Sequence, residues 1–162
     1  MADRADLSRQ LRIVEKIPFV RGLTVRQIQQ VLRAGKVIRE SEGAVLCRDG
    51  DKSITMFILL SGELSVRDGN VELAFIEPVE IVGEMGLVTN QPRCATIQVA
   101  KDATLISVER MRFDVLLKND VDMAAKIYKN MLDSLSQKLR DNNSRLKKSR
   151  SQQNLGIAAS VV

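Results

Sequence analysis

The chain has 162 residues, enough for one domain with a sizeable core, and its 44% hydrophobic content is ordinary for a globular protein. It has no histidine, the commonest general base and metal ligand, and its two cysteines, Cys47 and Cys94, lie far apart, which excludes a zinc or disulfide framework. With a net charge of +5, no nucleophile–base pair, no apolar run of bilayer length and no apolar signal segment, the expectation is a cytoplasmic, non-enzymatic protein without metal or membrane span.

The elements follow in the order helices, strands, helices. Leu7, Leu11, Val14 and Ile17 have helical spacing. A second helix is well punctuated: Thr24 is a good N-cap, Gln27 completes a Thr-x-x-Gln capping box, and Gly35 reads as the C′ glycine. Its inner face is Ile28, Val31 and Leu32. From Lys36 to Glu109 the period shortens. Apolar runs at 37–38, 44–47, 56–60, 64–66, 71–76, 95–99 and 104–108 read as strands. Turn formers separate them: Glu42-Gly43, Asp49-Gly50, Ser61-Gly62, Asp68-Gly69 and Lys101-Asp102. Asp68-Gly69 is a good hairpin signal. Seven or eight short strands at this spacing predict an antiparallel barrel or jelly roll. The interruption at Glu84–Val88 is long enough for one helical turn.

Met111–Lys118 reads as a short helix and Val121–Lys148 as a long one, about 42 Å at the α-helical rise. The long helix has two apolar seams. Ile127, Met131 and Leu135 step by four and are expected to face the protein's own strands. Tyr128, Leu132, Leu135, Leu139, Asn142 and Leu146 form a heptad seam, with Asn142 placed to set register. That second seam needs either another subunit or a fold back onto its own domain. Six basic residues, Lys138, Arg140, Arg145, Lys147, Lys148 and Arg150, face one acid, Asp141. The preferred reading is a solvated helix face with a loose tail; nucleic acid or an anionic membrane is the alternative. No aromatic residue stands among them to stack on bases.

Residues 82–97 read Val-Gly-Glu-Met-Gly-Leu-Val-Thr-Asn-Gln-Pro-Arg-Cys-Ala-Thr-Ile. Gly83 and Gly86 allow close backbone approach to a ligand. A short helix starting there aims free N–H groups at an anion. Arg93 supplies a planar, permanently charged fork that suits a phosphate. The carboxylate of Glu84 makes sense beside them if the ligand also carries a hydroxyl donor, as a ribose does.

The pattern resembles the phosphate-binding cassette of cyclic-nucleotide-binding domains, the family of the bacterial cyclic AMP receptor protein and the regulatory subunits of protein kinase A. That pattern is roughly Phe-Gly-Glu-x-Ala-Leu, a short spacer, then Pro-Arg-x-Ala. Here Val82 replaces the aromatic and Gly86 the usual alanine. Residues 43–50 and 56–66 look like the first strands of the family's β-roll, although the Gly-Asp usual near Lys52-Ser53 is missing. The resemblance covers roughly residues 15 to 140.

It implies an α+β fold: N-terminal helices over 1–35, an antiparallel β-roll with the cassette over 36–110, C-terminal helices over 111–148, and a flexible tail over 149–162. It implies a ligand-binding set of Gly83, Glu84, Met85, Gly86, Leu87, Arg93, Cys94 and Ala95. Arg93 would pair with the cyclic phosphate, helped by the backbone of Gly86, Leu87, Cys94 and Ala95. Glu84 and the Gly83 backbone would hold the ribose 2′-hydroxyl. Leu135, Lys138 and Asn142 are candidates to meet the base. In this family a hydroxyl residue after the cassette arginine often accompanies cyclic GMP. Cys94 stands there, with Thr96 two residues on, so cyclic AMP is the expected ligand and cyclic GMP the alternative.

The implied function is a stand-alone regulatory sensor, signalling through its C-terminal helix to a protein effector or a homodimer through Leu132, Leu135, Leu139 and Leu146. The chain has no length for the helix-turn-helix of receptor-type transcription factors, so no attached DNA-binding domain is expected. The competing reading is a degenerate fold acting as a helix-mediated scaffold.

Overall fold

A computed structural model describes the backbone of residues 4–159 and the side chains of residues 8–147 apart from Asn142. Helix α1 (Arg4–Val14) leads through a 3₁₀ turn (Pro18–Val20) into α2 (Val25–Ala34). The strands are β1 (Gly35–Glu40), β2 (Val45–Cys47), β3 (Thr55–Asp68), β4 (Val71–Ile76), β5 (Ile81–Val82) and β6 (Thr96–Glu109). Helix α3 (Glu84–Thr89) interrupts them between β5 and β6, and α4 (Arg110–Asn119) and α5 (Val121–Ala159) close the chain. Every pairing is antiparallel, in the order β1-β6-β3-β4, with β2 added to β6 and β5 to β3.

There are thus fewer and longer strands than the apolar runs suggest. Ser61-Gly62 and Lys101-Asp102 are not turns. They lie inside β3 and β6, each 14 residues long. The two irregular stretches face each other: the β3–β6 register shifts between Leu59 and Leu64, opposite 99–105. Both strands bend at the same place and pairing continues past the bend, as at a β-bulge. Gly62 has φ +92° there, and Lys101 Nζ meets Glu63 Oε2 across the pair at 3.2 Å. The Asp68-Gly69 hairpin forms as expected, with Asp68 opposite Val71.

Side chains alternate along β3. Met56 and Ile58 enter a core shared with Val14, Phe19, Val31, Phe113 and Ile127 from the helices. Phe57, Leu59 and Leu64 enter the barrel interior with Val82, Val99 and Leu105. The sheet is therefore filled on one side and capped by helices on the other.

The Thr24 capping box forms as read: Gln27 N–H donates to Thr24 Oγ1 at 3.2 Å, and Thr24 N–H to Gln27 Oε1 at 2.9 Å. Gly35 plays a different part from the one expected. It is not a left-handed C′ residue; its φ is −90° and it opens β1 opposite Val108. A side chain there would overlap Ile106, so the glycine serves close packing of α2 onto the sheet.

Ile127 and Met131 on α5 are buried and Leu135 is half-buried; this seam packs chiefly on the 3₁₀ turn and α4 and joins the core that Met56 and Ile58 of β3 enter. Buried Asn130 fixes the contact, donating from Nδ2 to Phe19 O at 2.9 Å and Arg21 O at 2.8 Å. The outer seam of Tyr128, Leu132, Leu139 and Leu146 is exposed, so α5 does not fold this face back onto its own domain. The side chain of Asn142 lies outside the described residues. Helix α5 runs to Ala159, past the end expected at Lys148. Residues 149–159 hold no proline and one glycine, Gly156, which costs a helix only about 1 kcal/mol, so nothing local stops propagation. Residues 160–162 lie outside the described residues.

Candidate functional site

Gly83 is the N-cap of α3 and is left-handed, with φ +84°. A Cβ there would overlap Arg93 Nη1, so the bare Cα is the seat on which the Arg93 guanidinium lies. Ten residues of sequence separate the two; the reversal through Asn90, also left-handed at φ 59°, brings them together. Arg93 Nη2 donates to Thr55 O, and Arg93 Nε is buried without a partner. Among the described residues no carboxylate pairs with this guanidinium. Its backbone is held as well: Arg93 N–H donates to Asp51 O at 2.8 Å and Gly50 N–H donates to Arg93 O at 2.9 Å. Near it, burial pushes the Cys47 thiol up, and the Arg93 charge works against that rise.

Glu84 turns to the other side. Its carboxylate is buried and its Oε1 accepts from Lys138 Nζ of α5 at 3.1 Å. It lines a cavity of about 170 Å³ with Phe19, Ile81, Asn130, Met131 and Lys138. Burial raises the Glu80 carboxyl above its usual range, and the Lys138 charge works against that rise. Of the three residues expected near the base, Lys138 reaches the cassette through this ion pair. Leu135 is half-buried on the same helix, and Asn142 lies outside the described side chains.

The other cassette residues separate by environment. Leu87 is buried in the helical core, Met85 and Cys94 are exposed, and Ala95 is half-buried. The Thr96 hydroxyl accepts from Asp49 N–H at 3.1 Å.

Two residues that motif reading passed over hold the cassette in place. Arg110, the first residue of α4, donates from its guanidinium to Ser53 O, Gly86 O and Asn90 Oδ1. Its own backbone N–H donates to Ile54 O at 2.9 Å. Ser53 is buried, its Oγ has no partner, and it packs directly on Gly86. A Cβ on Gly86 would overlap both Oγ and Cβ of Ser53. Two of the three departures from the family pattern, Gly86 for alanine and Lys52-Ser53 for Gly-Asp, are therefore linked in space: Ser53 fills the room an alanine methyl would take. No local spacing shows this, because 33 positions separate the pair in sequence.

Gly86→Ala alone is expected to lower stability by about 1–3 kcal/mol, the usual cost of overpacking a filled site. Adding Ser53→Gly should recover most of that loss, since it removes both overlapping atoms. Denaturant unfolding of the two single variants and the double variant checks this; additive losses would show that the two positions are independent.

Residues 37–120 match the family model described as cyclic nucleotide-binding domain. A cyclic nucleotide-gated potassium channel of Mesorhizobium japonicum is 30% identical over 131 residues, covering 80% of this chain and 36% of the channel. The cAMP-dependent protein kinase type II regulatory subunit of Drosophila melanogaster is 28% identical over 127 residues, 76% of this chain and 34% of that protein. The chain thus spans about a third of the length of these relatives. The crystal structure of a cyclic nucleotide-binding domain from Methylobacillus flagellatus superposes with a TM-score of 0.74 at 21% identity, over 86% of this chain and 81% of that one. With the fold, the seated arginine and the family match in agreement, the chain belongs to the cyclic nucleotide-binding domain family.

Proposed function

We propose that this chain is a regulatory sensor that binds a 3′,5′-cyclic nucleotide at Arg93 and the α3 N-terminus. One observation carries the reading. Arg93 is a sheltered guanidinium seated on Gly83, with a buried N–H unpartnered and no carboxylate paired with it among the described residues. A sheltered cation without a counter-ion is costly, and a phosphate removes that cost while accepting charge-assisted bonds. The first N–H groups of α3 lack intrahelical acceptors and face the same anion. The regulatory domain of PKA from Toxoplasma gondii, crystallised with cAMP, has this fold at a TM-score of 0.67 and 24% identity, over 74% of this chain and 47% of that one.

Cyclic AMP is the proposed ligand over cyclic GMP. Cys94 offers only a weak thiol donor after the arginine, and the Thr96 hydroxyl already accepts a backbone bond. The proposed signal runs through Glu84. A ribose hydroxyl donating to this carboxylate competes with Lys138, and losing that ion pair frees α5 from the cassette. Such a ligand shifts α5 only by its differential affinity for the two helix positions. The exposed seam of Leu132, Leu139 and Leu146 is then available to a homodimer partner or an effector. The same seam supports a second reading, a helix-mediated scaffold that works without nucleotide. We place the protein in the cytoplasm; among the described residues no helix is long and apolar enough to cross a membrane.

Calorimetry with cyclic AMP and cyclic GMP tests the binding reading. Wild type is expected to bind cyclic AMP at least as tightly as cyclic GMP, and Arg93→Ala to lose about 2–4 kcal/mol for either while staying folded. Unchanged binding in Arg93→Ala sinks the assignment. The Glu84 role has a separate check. Glu84→Ala should weaken cyclic AMP by about 1.5–3 kcal/mol, the worth of a hydrogen bond to a charged group, and leave 2′-deoxy cyclic AMP nearly unaffected. Equal losses for both ligands would place the ribose elsewhere. For the seam, Leu132→Glu with Leu139→Glu should convert dimer to monomer in sedimentation. A wild type that is monomeric with and without nucleotide defeats the dimer.

A further inference from the structure

An open groove of about 600 Å³ lies between α2 and α4, on a part of the molecule that neither the cassette nor the α5 seam uses. Its floor is Ala34 and Leu116, and its α4 wall carries Met111 and Val115, which are 80% and 57% exposed. Met111 and Val115 are one helical turn apart and form a single stripe. Singly exposed apolar side chains need no explanation, but a contiguous apolar groove rimmed by charge does.

The rim is basic. Arg33 of α2 and Arg112 of α4 flank the apolar floor. A smaller depression that shares Gln30 and Leu116 continues the groove toward Arg26. None of these three arginines has an ion-pair partner among the described residues. The carboxylates at that end are already engaged: Asp120 with Gln27 Nε2 at 3.0 Å and Met123 N–H at 2.8 Å, and Asp122 with Gln27 Nε2 at 3.1 Å and Lys126 Nζ at 2.7 Å. Lys36, nearby on β1, is paired with Glu109 at 3.7 Å.

We propose that this groove is a docking site for an acidic amphipathic helix of a protein partner. Two helices with lining residues spaced by three and four present ridges that a third helix fits, and helix-in-groove recognition uses such an apolar channel. The three uncompensated arginines set the charge of the occupant: apolar on the face that meets Met111, Val115 and Ala34, acidic on its flanks. A second copy does not fit that description, because the long helix it would offer is basic from Lys138 to Arg150. An anionic lipid surface is the competing occupant, and vesicle capture in the test below separates the two. The groove stands apart from the nucleotide reading and does not require it.

The probe is a fluorescein-labelled leucine–glutamate amphipathic helix of about 15 residues, with its leucine–lysine counterpart as control. Anisotropy is expected to show saturable binding of the acidic peptide, weakened at least about tenfold by Arg33→Glu with Arg112→Glu and likewise by Val115→Asp. Amide shifts in an NMR titration should fall on 30–34 and 111–116. Circular dichroism of the variants, all changed at exposed positions, separates lost binding from lost fold. Equal binding of both peptides, equal binding by wild type and the charge-reversed variant, or shifts confined to α5 would overturn the proposal. So would self-association abolished by Val115→Asp, or capture by phosphatidylserine vesicles in place of the peptide.

Discussion

The cassette helix α3 has six residues and no stability of its own, since a single turn cannot repay the entropy of its nucleation. Two guanidinium groups hold it. Arg93 lies on its N-cap and donates to Thr55 O; Arg110 gathers Gly86 O, Asn90 Oδ1 and Ser53 O at its other end. Leu87 adds the apolar anchor into the helical core. Both clamps are charge-assisted bonds to backbone carbonyls, stronger than neutral pairs, and both arginines belong to other segments of the chain. The cassette is therefore a tertiary object. Its shape depends on the start of β3, on the 53–55 loop and on the first residue of α4.

This arrangement ties the cassette to the helices without a long pathway. Arg110 is both a cassette clamp and the first residue of α4. Glu84 opens α3 and meets Lys138 on α5. The two links differ in kind. Lys138 is more than half exposed, and exposed ion pairs contribute about 0–1 kcal/mol. The two bonds from Asn130 to the carbonyls of Phe19 and Arg21 are better sheltered, and breaking them would leave the buried Asn130 amide unsatisfied. Helix α5 is thus held firmly near residue 130 and weakly at 138.

The paired bend of β3 and β6 serves the same end. A strand of 14 residues could not wrap the barrel interior without it, and both strands bend where their irregular stretches meet. The first half of β3 then packs one face, Met56 and Ile58, on the helices, and the second half pairs with β4. Thr55, at the start of β3, is set where its carbonyl reaches Arg93.

The sequence alone determined what is local or periodic. The Thr24–Gln27 box, the Asp68-Gly69 hairpin, the α4 and α5 periodicities and the cassette motif all depend on residues within a few positions of each other, where turn chemistry and side-chain period act directly. The tertiary structure decided everything that depends on distant pairs. Ser61-Gly62 and Lys101-Asp102 have the composition of turns and become bends, because each faces the other across a ladder no local pattern describes. Gly35 has the position of a helix stop and is used for close packing against Ile106. Gly86 departs from the family pattern, and the reason is legible only with Ser53 packed on it. The split between Arg93, seated on Gly83, and Glu84, turned to Lys138, could not be read from ten neighbouring residues. Which side of a short helix a side chain takes is settled by what the rest of the fold puts there.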